Sequence, residues 1–319
     1  MAQSKHIYLF CGEAYMANRS AAALKKKLDI SHEQLNITSY NDAPKADALI
    51  DACAEVPLMS AMRLVISPGA TFLSAKGSAE EGRKIAEFLP AMPETTALVF
   101  VMEEKPDKRR ALFKKIKEIG QVREFAPPKE RECETFAIQQ AQQNGVSLGV
   151  QEARLLVEIA GCDYYTIENE MNKLAAYTDG GVVRAADVRA CASASLEYNV
   201  FAIHGLLVKK RAGEALKLLE AVMAEQRPEM LIGVFASKIR ELYKVRAMKD
   251  AGYDKGKIAQ NIGKGSFIAG KLIEECARFS ASALRQGLCG LADLDHAVKS
   301  GQKDASLALP DALVKIYLG

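Results

Sequence analysis

Short apolar runs and amphipathic stretches alternate along the first part of the chain. The runs His6–Phe10, Leu35–Ser39, Arg63–Ser67, Thr96–Met102 and Gln121–Phe125 predict strands. Between them, Ala14–Leu28, Lys45–Ala54, Glu80–Leu89 and Lys108–Ile119 carry apolar residues at helical spacing. Continuous apolar strands separated by helices are the pattern of a mostly parallel sheet covered on both faces, because each crossover helix must bury its own apolar stripe. Pro127-Pro128 ends the unit. Two adjacent prolines lack backbone donors and hold an extended path, so a first domain over 1–128 is expected.

Beyond the prolines the pattern is helical. Glu132–Gln143, Val150–Ala160, Tyr165–Tyr177 and the short Ala185–Ala190 make a small helical unit over 129–197, with glycines at its helix stops. The last part, 198–319, reads as helices at Val200–Lys210, Arg211–Ala224, Glu229–Met248, Lys255–Asn261, Ser266–Phe279, Ala281–Lys299 and Ser306–Leu318. Pro228 suits a first helical position. The fold class is therefore α/β followed by all-α. No low-complexity segment or short-period repeat interrupts it.

The opening strand, turning at Gly12 into a helix, has the layout of a phosphate-binding loop. Such a loop reads glycine, about four residues, then Gly-Lys-Ser/Thr. Its N–H groups cradle phosphate, its lysine reaches the outer phosphates and its hydroxyl holds magnesium. The last three places fall here on Ala17, Asn18 and Arg19. The second glycine, the lysine and the hydroxyl are all missing. The acidic pair that would complete such a site is also weak. Pro68-Gly69 follows one strand, and Glu103-Glu104 follows another and reads as a solvated acidic turn. No nucleotide, cofactor or metal and no catalytic residue is expected.

Composition narrows the picture further. With 319 residues, 49% hydrophobic and 26% charged, the chain is long enough for two or three domains of ordinary globular composition. The net charge of +3 does not demand nucleic acid, because non-specific DNA binding needs a local basic face. No apolar run approaches the roughly 20 residues of a membrane span. The N-terminal residues enter a strand directly, so no signal peptide and a cytoplasmic location are expected. The cysteines Cys11, Cys53, Cys133, Cys162, Cys191, Cys276 and Cys289 are scattered singly and read as reduced, buried thiols. His6, His32, His204 and His296 lie far apart, so neither a metal set nor a nucleophilic triad is indicated. Basic residues cluster at Lys25-Lys26-Lys27, at Lys105–Arg110 and at Lys114-Lys115. A solvated face accounts for each; the second and third also suit phosphates or a neighbouring subunit.

Several stretches, taken in order, resemble a known family. They are Tyr8-Leu9-Phe10-x-Gly12-Glu13-x-Tyr15; Glu55-x-Pro57-Leu58-Met59-Ser60-Ala61-x-Arg63-Leu64-Val65-x-Ser67; Ile167–Tyr177; Asn199–Ile203; Ile258-Ala259-x-x-Ile262-Gly263; and Leu291–Leu294 with Asp295, Ala297 and Lys299-Ser300-Gly301. This ordered set resembles the delta subunit of the bacterial DNA polymerase III clamp loader over nearly the whole chain. The resemblance implies a degenerate AAA+ domain with a RecA-like parallel sheet, a helical lid and a helical collar. It also implies a job: gripping the ring-shaped sliding clamp (beta) and opening or holding open its ring. The implied partners are the loader's ATPase subunits, delta-prime and primer-template DNA, with no membrane. On residue type alone, Leu58-Met59 ahead of a strand belongs in the core. The family instead places an adjacent apolar pair here, at the tip of a short helix that enters a pocket on the clamp. Lys299 and Lys303 match a family turn that would face DNA. Two other readings compete: an active AAA+ ATPase with an atypical loop, and the sister subunit that supplies an arginine finger. The second of these needs a Ser-Arg-Cys run, which the chain lacks.

Overall fold

The structure is a computed structural model and describes residues 6–263 and 266–318. The expectation about the N-terminal leader falls on residues 1–5, outside the described ones. Two compact units are present. The first runs to Cys133 and includes Asp163–Tyr165; the second takes Glu134–Cys162 and everything from Thr166.

The first unit contains β1 (Ile7–Gly12), α1 (Ala14–Leu28), α2 (Glu33–Asn36), β2 (Ile37–Ser39), α3 (Ala46–Ala54), β3 (Arg63–Pro68), α4 (Ala70–Leu73), α5 (Ala79–Phe88), β4 (Thr96–Met102), α6 (Ala111–Ile119) and β5 (Gln121–Phe125). Its sheet has the order β2-β3-β4-β1-β5 and every pairing is parallel. The central strands are buried on both faces, which is why they read as unbroken apolar runs. Alternation along β1 splits the core in two. Ile7, Leu9 and Cys11 face a layer with Leu49, Ile85 and Ile116 from α3, α5 and α6. Phe10 faces the other layer, with Ala17 and Ala21 from α1 and Leu64 and Val99 from β3 and β4.

One expected strand is shorter than its sequence pattern. Leu35 belongs to α2, and β2 begins only at Ile37. The chain enters α2 through His32 in the left-handed region (φ 52°), and Asn36 sends its side chain inward to hydrogen-bond carbonyls. Leu35 is left more than half exposed. The single turns α2 and α4 are too short to generate a helical period, so they were not legible.

The second unit contains most of α7 (Glu130–Gln143), β6 (Ser147–Leu148), α8 (Val150–Ala160), most of α9 (Tyr164–Thr178), β7 (Val182–Val183), α10 (Ala185–Cys191), α11 (Leu196–Val208), α12 (Ala212–Glu225), α13 (Pro228–Asp250), α14 (Lys255–Ile262), α15 (Ser266–Cys276), α16 (Ala281–Lys299) and α17 (Ala305–Leu318). β6 and β7 form a two-residue parallel ladder that the sequence did not announce. A continuous apolar core joins Val200, Leu219, Phe235, Ile239, Leu291 and Leu313 across α11–α13, α16 and α17. Pro228 sits at the start of α13, as its fixed φ favours. Among the described residues no helix is long and apolar enough to cross a membrane.

Candidate functional site

The strand β3 begins at a buried arginine, and this residue organises the segment before it. Arg63 is only 6% exposed. Its Nε donates to Ala52 O at 2.8 Å, Nη1 to Leu35 O at 3.0 Å and Nη2 to Thr38 Oγ1 at 3.0 Å. The same Nη2 pairs with Glu55. One planar guanidinium thus ties together the last turn of α3, α2 and β2, a task its forked donors suit and a lysine's point charge does not. Glu55 and Arg63 close the neck of the segment that runs between them.

Asn36 holds the middle of that segment. Its buried amide donates to Leu58 O at 2.8 Å and accepts from Leu58 N–H at 2.8 Å. With its backbone fixed, Leu58 still keeps 57% of its surface exposed, and Met59 keeps 83%. Val56 is 77% exposed beside them. Met59 has φ +52°. A non-glycine residue there costs about 1 kcal/mol and persists only where its surroundings enforce it. Leu58 and Met59 therefore do not join the core, which is what residue type alone predicted. Nor do they tip a short helix. Pro57 drives Val56 away from helical angles, and the left-handed Met59 breaks any helical run. The pair is presented on a bent turn.

The degenerate phosphate loop also has a definite structure. Gly12 has φ +103°, and a Cβ there would sit 2.1 Å from Phe125 O. Glu13 N–H donates to Phe125 O at 2.9 Å. The Glu13 carboxylate accepts from Tyr15 N–H at 2.9 Å and Met16 N–H at 2.8 Å. These first-turn donors are the groups that would otherwise meet a phosphate; here the chain fills them with its own carboxylate. Glu103 and Glu104 are exposed beyond β4, lining an open crevice with Lys25, Ser67 and Pro68. Among the described residues no group of three His, Cys, Asp or Glu is placed to hold a metal.

Most of the basic clusters have local partners. Lys25 pairs with Glu33 at 2.7 Å and Lys108 with Glu124 at 2.7 Å. Arg109 is bound by Asp107 at 2.9 Å, and this contact holds the Asp107 carboxyl down at about 2. Arg110 donates to the carbonyls of Ser74, Ala75 and Gly77, stapling the loop before α5. Lys299 pairs with Asp295 at 2.6 Å on the surface of α16, and Lys303 stands exposed past the Ser300-Gly301 turn.

The second unit hides a polar cluster. His204 is fully buried; its Nδ1 lies 2.7 Å from Tyr317 Oη and its Nε2 lies 3.3 Å from Glu275 Oε2. Lys238 Nζ binds the same Glu275 oxygen at 2.9 Å. Burial pushes the His204 pKa down, so the ring is neutral at neutral pH. Burial alone would raise Glu275, but His204 and Lys238 outweigh it and bring the carboxyl to about 2. This cluster is a tie between α11, α13, α15 and α17. The cysteines are all free thiols, with Cys11 and Cys53 pushed up by burial to about 11 and about 12, so neither is a thiolate nucleophile. Three cysteines depart from the buried-thiol expectation: Cys289 is exposed on α16, and Cys162 and Cys191 are only half-buried.

Sequence reasoning named Leu58 and Met59, which stand exposed on this turn, and passed over Val56, Asn36 and the contacts of Arg63. Arg63 and Glu55 were in the matched stretch, at the two ends of the turn. Asn36 carried no local signal, because its partner lies 22 residues away.

A parallel sheet of this order, a strand–loop–helix capped by its own glutamate and a long helical continuation define an α/β chain followed by an all-α part. Residues 8–125 match the family described as DNA polymerase III, delta subunit, and residues 197–316 match its C-terminal domain. Together these matches span more than half of the sequence, and the chain belongs to the DNA polymerase III delta subunit family. The DNA polymerase III subunit delta of Bacillus subtilis (strain 168) is 23% identical over 318 residues, covering 97% of this chain and 91% of that protein. The solved structure of the Bacillus subtilis DNA clamp loader delta protein superposes with a TM-score of 0.63 at 21% identity, covering 98% of this chain and 95% of that one.

Proposed function

We propose that this chain is a non-catalytic clamp-loader subunit that grips the sliding clamp (beta) through Leu58 and Met59 and opens or holds open its ring for loading onto primed DNA. The observation that carries this reading is the turn itself. Two adjacent apolar side chains stand exposed on a backbone fixed by Asn36 and Arg63, one of them in a strained conformation. A protein spends strain on exposed apolar residues where a partner covers them. Family membership supports the sliding clamp as that partner. Met suits the second position because its flexible thioether fills irregular pockets.

The reading extends to the rest of the assembly. The chain works in the cytoplasm with the loader's ATPase subunits and delta-prime, which supply the ATP chemistry. The Glu13 carboxylate on the first turn of α1 supports this division of labour, and it weighs against the alternative of an ATPase with an atypical loop. The helical part divides near residue 197 into a lid over 129–197 and a collar over 198–319, a boundary supported by the start of the C-terminal family match. Lys299 and Lys303 on the collar face primer-template DNA. The test of the central reading is size-exclusion chromatography with the purified sliding clamp. Wild type co-elutes with the ring, and Leu58→Ala with Met59→Ala does not; co-elution of the double variant would overturn the assignment.

A further inference from the structure

The contact turn is held by a residue that does not itself face outward. Asn36 is fully buried at the end of α2. Its Nδ2 donates to Ser31 O at 2.8 Å, His32 O at 3.4 Å and Leu58 O at 2.8 Å. Its Oδ1 accepts the Leu58 N–H at 2.8 Å. Both polar groups of the Leu58 backbone are thus bonded to one side-chain amide, which copies the paired exchange of a strand ladder. The carbonyl just before Asn36, that of Leu35, is held by Arg63 at 3.0 Å, so the amide stands on a fixed base. The Leu58 side chain nevertheless points to solvent. A buried amide spent on the backbone of an exposed residue gives the core little packing, but it fixes the direction of what that residue presents.

We propose that Asn36 is the positioning residue of the contact turn: by holding the Leu58 backbone it presets the pose in which Leu58 and Met59 meet their partner. This inference rests on the reading that the pair binds the sliding clamp. Without the amide, the turn samples other conformations and must be ordered on binding. Ordering one or two residues corresponds to roughly a 10- to 100-fold weaker affinity. No neighbouring residue type replaces it. Asp keeps the acceptor and loses the donor; Ala leaves both Leu58 backbone groups without this partner.

The experiment measures the equilibrium affinity of the full chain for the purified sliding clamp, together with hydrogen exchange at the Leu58 amide. In the wild type that amide exchanges slowly although its side chain is exposed; fast exchange there would overturn the proposal with no variant needed. Asn36→Ala binds roughly 10- to 100-fold more weakly, and its Leu58 amide is deprotected while the β1 and β4 amides stay protected. Asn36→Asp falls between the two. On the Leu58→Ala, Met59→Ala background Asn36→Ala changes nothing further. Ile116→Val, a core variant of the same unit, lowers stability and leaves affinity unchanged, which separates positioning from general destabilisation. Wild-type affinity in Asn36→Ala overturns the positioning role while the double alanine variant still fails to bind. Wild-type affinity in the double alanine variant instead removes the contact reading itself.

Discussion

If Glu13 occupies the place of a phosphate, the free chain binds no ATP, and removing Glu13 is not enough to create a site. The carboxylate accepts two N–H groups, at 2.9 and 2.8 Å, at the positive end of α1. Loss of a capping side chain costs about 0.5–2 kcal/mol. An incoming phosphate must displace that cap, which lowers its affinity by about 1 kcal/mol, or roughly fivefold. This effect is modest. The larger deficit is at Ala17, Asn18 and Arg19, where the lysine and the hydroxyl of a working loop are missing. Two measurements follow. Calorimetric titration of the wild type with Mg-ATP stays flat into the millimolar range. Glu13→Ala melts lower by a few degrees, roughly 2–4 °C per kcal/mol, and still gives a flat titration. Micromolar binding by the wild type would refute the reasoning outright. Micromolar binding gained by Glu13→Ala would show that the carboxylate alone was blocking a competent site.

Three further outcomes follow from the geometry. Gly12→Ala places a methyl group 2.1 Å from Phe125 O at φ +103°; the end of β1 must move off β5, and chemical denaturation registers a loss above about 2 kcal/mol. The helical unit loses stability in acid. The folded His204 pKa lies below its ordinary 6.5, so its contribution is complete above that pH and falls away below it as the unfolded chain takes up the proton. Glu275, held at about 2 against its ordinary 4.5, adds a second loss between those values. Thermal melts from pH 8 to pH 5 record the first loss, and His204→Gln flattens it; an equal slope in that variant would contradict the assignment. For the collar lysines, Lys299→Ala with Lys303→Ala reduces the salt dependence of DNA binding by the assembled loader, by a slope of at most about 2. An unaltered slope removes them from the DNA path.

The parts of this fold that were legible in the sequence are those with a strong period. Thr96–Met102 and Gln121–Phe125 in the sheet, Ala14–Leu28 on one face and Val150–Ala160 in the second unit have the same bounds in pattern and structure. Their partners are reached through repeated apolar contacts, which local periodicity reports. Leu35–Ser39 has strand-like residues, yet its first part is a helical turn, because Asn36 is drawn inward by carbonyls outside the window. The same blind spot applies to charge. Lys105–Arg110 reads as a basic surface, but Arg110 binds carbonyls more than thirty residues earlier and Lys108 binds Glu124. At the turn between Glu55 and Arg63 the sequence marked which residues stand there. It could not mark their exposure, since two apolar residues before a strand look alike whether they enter the core or leave it.

The central claim is that exposed Leu58 and Met59 grip the ring. Full burial of such a side chain is worth about 1.5–3 kcal/mol. The fractions already exposed, 57% and 83%, leave roughly 2–4 kcal/mol for the partner to recover from the pair. The decisive measurement is the equilibrium affinity of the full chain for the purified sliding clamp. Leu58→Ala with Met59→Ala weakens it by roughly 30- to 1000-fold with an unchanged melting temperature. Leu307→Ala, which truncates a side chain equally exposed elsewhere (76%), leaves it at the wild-type value. Wild-type affinity in the double alanine variant would contradict the account.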